Sequence, residues 1–224
     1  MRPPLVVAAI LAGILSTKSS IIHAQNNTLK LCSETVQKAR KAIEESKLPN
    51  QSAFIPLFDS SHQQLQQTHN NWAECVKGQK APLLSFKTLT GESYNTDSLG
   101  GKIIVVNFWF MNCGPCRAEF PALNKLVEEY KGKNVLFLGF TPDKASTLKP
   151  SFFEQNQFDF SIVPNAQNSA ESFYITGYPT TYIVDQRGII HQAWIGFVGS
   201  GMDKLAPYHM AKKAIDDLLA KVGK

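Results

Sequence analysis

Residues 103–116 read Ile-Ile-Val-Val-Asn-Phe-Trp-Phe-Met-Asn-Cys-Gly-Pro-Cys, and this stretch decides the fold. From Ile103 to Phe110 it is an unbroken β-branched and aromatic run, the pattern of a strand buried on both faces. From Cys113 to Tyr130 it reads as a helix, with Pro115 tolerated in the first turn and Pro121 expected to kink it. Cys113-Gly114-Pro115-Cys116 therefore straddles a strand-to-helix junction. A thiol there meets unpaired backbone N–H groups and the positive end of the helix dipole, and both favour thiolate over thiol. The thiolate is the reactive form, so a lowered pKa permits attack on a disulfide at neutral pH. Two intervening residues let Cys116 reach back to Cys113, and Gly114 and Pro115 shape the turn. Three other readings compete: a passive disulfide, half of a zinc site, or inert buried thiols. A zinc site would need Cys32 and Cys75, which are 43 positions apart, whereas zinc sites usually repeat the close spacing. Redox exchange is the expected chemistry.

Outward from this motif, Val135–Phe140 reads as a second buried strand, and residues 142–170 as mixed helix, loop and short strand. A short helix is expected near Ala170–Tyr174, ending before Gly177. Thr180–Val184 and Ile189–Trp194 read as strands joined by the turn Asp185-Gln186-Arg187-Gly188, and Leu205–Val222 as an amphipathic helix. Upstream, Pro82–Gly101 suggests short strands and turns. Cys32, Val36, Ala39 and Ile43 recur at helical spacing, as do Leu65, Trp72, Cys75 and Val76, with Pro49 and Pro56 marking a loop between. Two such helices with a short connection pack antiparallel. The order predicts an α/β domain, a central mixed sheet covered by helices on both faces.

The 224 residues are 43% hydrophobic and 18% charged, an ordinary globular balance that excludes collagen-like and disordered readings. Arg2 is followed by an apolar run from Leu5 to Leu15, too short to span a bilayer as a helix but suited to a secretory signal peptide. Residues 1–24 are read as that signal, with an uncleaved anchor at residues 5–15 as the alternative. The leader holds two of the 23 Lys and Arg and none of the 18 acids, so the remaining chain carries 21 − 18 = +3. That excess, without a basic block, argues against nucleic-acid binding. An exported chain meets oxidising conditions, which favour disulfides.

The run Asn107-Phe108-Trp109, then Cys113-Gly114-Pro115-Cys116, Glu119, Phe120 and Pro121, resembles the TlpA/ResA-like branch of the thioredoxin superfamily. Gly177-Tyr178-Pro179-Thr180-Thr181-Tyr182, with Asp185 and Gly188, is similar to that family's second signature. The resemblance covers residues 79–224 and implies a thioredoxin-like fold, leaving 25–78 as a helical hairpin extension. It implies a cis bond at Pro179, which would bring the Tyr178 backbone beside Cys113 to pair with an extended substrate. It also places a glutamate at Glu119, one turn beyond Cys116, where a partly buried carboxylate with a raised pKa accepts a proton during disulfide formation. A solvated surface acid is the other reading of Glu119. The implied activity is reduction of protein disulfides, with apocytochrome c or other exported thiol proteins as partners. A membrane thiol-electron transporter would recycle the enzyme. No cofactor is expected beyond the cysteine pair, and the chain is expected to be a monomer. Two positions depart from cytosolic thioredoxin. Asn107 stands where a buried aspartate is usual, and Asn112 replaces the tryptophan before the first cysteine, leaving a more polar surface.

Cys32 begins the first predicted helix and Cys75 ends the second, so an antiparallel hairpin makes them neighbours on its apolar stripe. A structural disulfide is expected there; two free thiols, or redox exchange with the catalytic pair, are the alternatives. His62 and His69 share a helix face without further ligands, so no metal site is expected, and His191 reads as an ordinary strand residue. A thiol peroxidase would share the fold but places a Thr-x-x before its cysteine, where this chain has Phe110-Met111-Asn112. A copper metallochaperone would space its cysteines further apart and add a nearby histidine.

Overall fold

A computed structural model describes residues 28–45, 60–83, 85–196 and 203–222. The expected signal at 1–24, its apolar run at 5–15 and the loop at Pro49 and Pro56 lie outside the described residues. Among the described residues, no helix is long and apolar enough to cross a membrane.

Strand β3 (Ile103–Phe108) is the centre of a five-stranded sheet. Its neighbours are β4 (Val135–Phe140) on one side and β6 (Thr180–Val184) on the other, with β5 (Ser161–Val163) and β7 (Ile190–Ile195) at the edges. β3, β4 and β5 run parallel, whereas β6 is antiparallel to both of its neighbours, β3 and β7, so the sheet is mixed. All six residues of β3 are buried, and the two faces serve different cores. Ile104, Val106 and Phe108 pack with Leu29, Val36, Trp72 and Phe173. Ile103 and Val105 pack with Phe120, Leu123, Ala214 and Ile215. A strand covered on both sides has no wet face, which is why its sequence shows no alternation.

Helix α4 (Gly114–Glu129) makes the crossover from β3 to β4 and packs with α7 (Ala206–Val222) on one face. Pro121, the expected kink position, lies inside this helix. A polar cluster ties these helices together. The Tyr130 hydroxyl donates to Asp216 at 2.7 Å, that of Tyr208 donates to Glu129 at 2.6 Å, and Lys212 bridges Glu129 and Asp216. The opposite face carries α1 (residues 28–45), α2 (Ser60–Val76) and α6 (Gln167–Ser172), the last beginning three residues before the expected start. The Pro82–Gly101 stretch forms a small hairpin, β1 (Phe86–Lys87) with β2 (Ser93–Tyr94), and adds a one-turn helix α3 (Thr96–Leu99). Helix α5 (Pro150–Gln155) and β5 fill the mixed stretch after β4.

The two N-terminal helices run antiparallel, since Cys32 meets Cys75 while Arg40 meets His69. Cys32 and Cys75 form a disulfide with Cα atoms 5.8 Å apart. Cys32 is buried, but Cys75 is exposed at the margin of the stripe that was expected to bury both. Trp72 and Val76, on the buried side of α2, take that place. The hairpin is no separate body: Leu29, Cys32, Val36, Trp72 and Val76 belong to the sheet's own core. Residues 78–81 then lie along the start of β7, with Gly78 N–H donating to Ile190 O at 2.8 Å and Ala81 N–H to Gly188 O at 2.9 Å, which partly shields that sheet edge.

Candidate active site

Sheet register places the two signature motifs together. Phe108, the last residue of β3, pairs with Thr180, the first of β6, so Pro179 and the Trp109–Cys113 loop leave the sheet at the same end. The Tyr178–Pro179 bond is cis. Cys113 is the N-cap of α4, in extended conformation, and its Sγ accepts the Cys116 N–H at 3.1 Å. The cap uses sulfur where serine or aspartate normally supplies oxygen, so the first turn's unpaired N–H groups point at a redox atom. Gly114 opens the helix with no side chain beside the cap, and Pro115 follows at a position that has no intrahelical N–H to lose. Cys113 and Cys116 are joined as a disulfide, 4% and 1% exposed.

The loop ahead of Cys113 is held from the end of β4. The Asp143 carboxylate accepts the Met111 N–H and the Thr141 hydroxyl, each at 2.7 Å. Asp143 escaped the sequence reading because it belongs to no motif; only the β3–β4 pairing carries it to the loop. Tyr178 is half-buried, its ring edge-on to Phe110 at 5.3 Å. It packs against the core containing both cysteines as well as the opposite core. Burial, followed by the Asp143 charge, raises the pKa of its hydroxyl.

Glu119 is fully buried and neither carboxylate oxygen has a hydrogen-bond partner. Desolvation pushes its pKa up to about 8, since a carboxylate without water or donors is costly. Asn107 donates from Nδ2 to Thr181 Oγ1 at 2.9 Å, across the β3–β6 pairing, and its Oδ1 is unpartnered. The amide thus holds a core position, and Glu119 is the only buried carboxyl near this end of α4 among the described residues.

The N-terminal hairpin also reaches the site, which the motifs alone did not reveal. Ser33 Oγ donates to Tyr174 O at 2.7 Å, and Arg40 Nη1 donates to Thr176 O at 2.5 Å. Gly177 lies against the guanidinium so closely that a Cβ there would sit 3.1 Å from Arg40 Nη1. Arginine has no acceptor, so the 2.9 Å contact from Nη2 makes His69 Nε2 the acceptor. Among the described residues, no three His, Cys, Asp or Glu side chains gather to hold a metal ion.

A cysteine pair capping the helix that follows the central strand of a mixed sheet, with a cis-proline leaving the sheet at the same end, defines a thiol–disulfide oxidoreductase of the thioredoxin fold. The chain is 36% identical over 122 residues to the thioredoxin-like protein YneN of Bacillus subtilis (strain 168), covering 54% of this chain and 72% of that one. It is 28% identical over 120 residues to the thiol-disulfide oxidoreductase ResA of Bacillus anthracis, covering 53% and 69%. The crystal structure of the thioredoxin domain of a thiol-disulfide oxidoreductase from Bacteroides vulgatus superposes with a TM-score of 0.51 at 27% identity, over 61% of this chain and 96% of that one. The AhpC/TSA family model matches residues 77–193, and the chain belongs to that family.

Proposed function

We propose that this chain is exported and reduces disulfides in partner proteins, with Cys113 as nucleophile and Cys116 as resolving thiol. The Cys116 N–H aimed at Cys113 Sγ carries the reading, because the same bond in the reduced enzyme stabilises a thiolate on Cys113. That thiolate attacks one sulfur of the partner's disulfide, forming a mixed disulfide, and the second sulfur departs as a thiolate that takes a proton. Cys116 gives up its proton and attacks Cys113 Sγ, and the partner's first sulfur leaves with the electron pair. Two electrons have passed to the partner, and the enzyme holds the Cys113–Cys116 bond. Glu119, one turn beyond Cys116, is the proton acceptor for the resolving step in its ionised form, the minor form at neutral pH; with a pKa near 8, close to a thiol's, it takes the Cys116 proton at little cost. Pro179 and Tyr178 offer backbone to an extended partner segment. Re-reduction requires a thiol donor, for which a membrane thiol-electron transporter is the proposed source, and apocytochrome c is the proposed class of partner. The Cys32–Cys75 bond is structural, since it closes the hairpin that holds Tyr174 and Thr176.

The experiment is trapping in cells. Cys116→Ser lacks the resolving thiol and retains partners covalently on Cys113, whereas Cys113→Ser retains none. Capture of the same proteins by both variants would reverse the assigned order of attack. Equilibration of the pair against glutathione reports direction: a pair mostly oxidised in a reducing glutathione buffer supports the reductase reading, and a pair mostly reduced there refutes it.

A further inference from the structure

A groove of about 660 Å³ is lined by residues of α1 on one side and by α6 and the loop up to Tyr178 on the other. Its floor is apolar, made by the half-buried Tyr174, Ile175 and Tyr178. Its rim is polar, with Lys30 and Gln37 on α1 and Glu171 on α6. Rim charges are already engaged locally. Lys30 lies 3.8 Å from Glu34, and Gln167 donates to Glu171 at 3.1 Å. Among the described residues lining it, no surplus cation is available to clamp the carboxylates of a small anionic disulfide such as glutathione. An apolar floor with a self-satisfied polar rim suits an extended polypeptide, whose side chains seek the floor while its backbone finds polar groups at the edge. Tyr178 lines this groove, and its ring meets Phe110, three residues before Cys113, at 5.3 Å, so the groove opens beside the loop that carries the cysteine pair.

We propose that the N-terminal hairpin builds one wall of a polypeptide-binding groove that holds the residues flanking the partner's cysteine. The hairpin is suited to this because it is anchored, not tethered. Ser33 and Arg40 bond the backbone of the loop that forms the floor, and the Cys32–Cys75 bond ties α1 to α2. Partner selection is thereby assigned to residues 28–45 as well as to the cysteine motif. The inference rests on the disulfide-exchange reading above.

The test uses the full reduced protein and two chromogenic probes: cysteine joined by a disulfide to thionitrobenzoate, and peptides of several apolar and neutral residues carrying the same group on a central cysteine. Wild type reacts faster with peptide than with cysteine, by about tenfold if a few side chains bind. Gln37→Trp and Glu171→Trp fill the groove from opposite walls, at exposed positions where bulk does not enter the core. In both variants the peptide-to-cysteine rate ratio falls toward one. A wild-type ratio already near one, or a ratio unchanged in either variant, overturns the groove. Failure of wild type to react with either probe would instead overturn disulfide exchange itself.

Discussion

Replacing Glu119 with glutamine removes an ionisable group while keeping its shape, and the pH dependence of stability reports what burial does to it. In the folded chain the carboxyl holds its proton up to about pH 8, against an ordinary value of 4.5. Between these limits the unfolded state has lost a proton that the folded state retains, so stability falls as pH rises. The slope is about 1.4 kcal/mol per pH unit, and the 3.5-unit window amounts to roughly 5 kcal/mol. Below pH 4 the term is fully in the fold's favour, and above pH 8 it is lost. Buried glutamine also carries polar atoms, but their cost does not vary with pH and adds only a constant offset. The assay is urea unfolding of oxidised wild type and Glu119→Gln from pH 4 to 9, taking the difference at each pH so that every other titration cancels. Glu119→Gln gains on wild type steadily from pH 5 to 8, by roughly 3 kcal/mol at pH 7 relative to pH 4.5, and then levels off. A difference that stays flat across this range would mean that the carboxyl ionises at its ordinary pKa, and the proposed proton transfer from Cys116 would lose its basis.

Paired replacement of Cys32 and Cys75 by alanine opens a 43-residue link and lowers stability by about 4 kcal/mol in the chain-entropy model, read by urea unfolding under oxidising conditions. A loss below about 1 kcal/mol would show that the hairpin is held by its packing alone. Gly139→Ala costs about 1–3 kcal/mol, because its Cβ would lie 2.7 Å from Phe158 Cε1, whose ring is stacked on Phe120 at 4.0 Å and has little room to move. A wild-type melting temperature for that variant would refute the crowding. Asp143→Ala leaves the Met111 N–H and Thr141 hydroxyl without their carboxylate, so it costs about 1–3 kcal/mol and slows thiol exchange at Cys113 while leaving secondary structure by circular dichroism intact.

Much of this was open to reading in one dimension because the informative features are local. The buried strand, the cysteine pair at its end and the helix behind it are successive residues, and strand burial, helix capping and thiol chemistry all act within that span. A hairpin signal at Asp185–Gly188 and the periodicity of α7 are local in the same sense. Other features answer to neighbours far along the chain. Helix α4 extends past Pro121 to Glu129, packed against the sheet and α7. Cys75 is exposed because Trp72 and Val76 face the core, a choice of helix rotation that periodicity cannot make when cysteine fits either side.

The motif by itself determined which atoms are proposed to react: a C-x-x-C at a strand-to-helix junction is set by backbone geometry that its own residues impose. Tertiary packing alone decided how those atoms are tuned and approached. Glu119 is raised in pKa by the sheet and helices that exclude water from it, Asp143 arrives through the pairing of β3 with β4, and Arg40 reaches the proline loop from 136 residues away. Desolvation and long-range hydrogen bonds depend on what surrounds a group in space, and spacing along a chain carries no record of that.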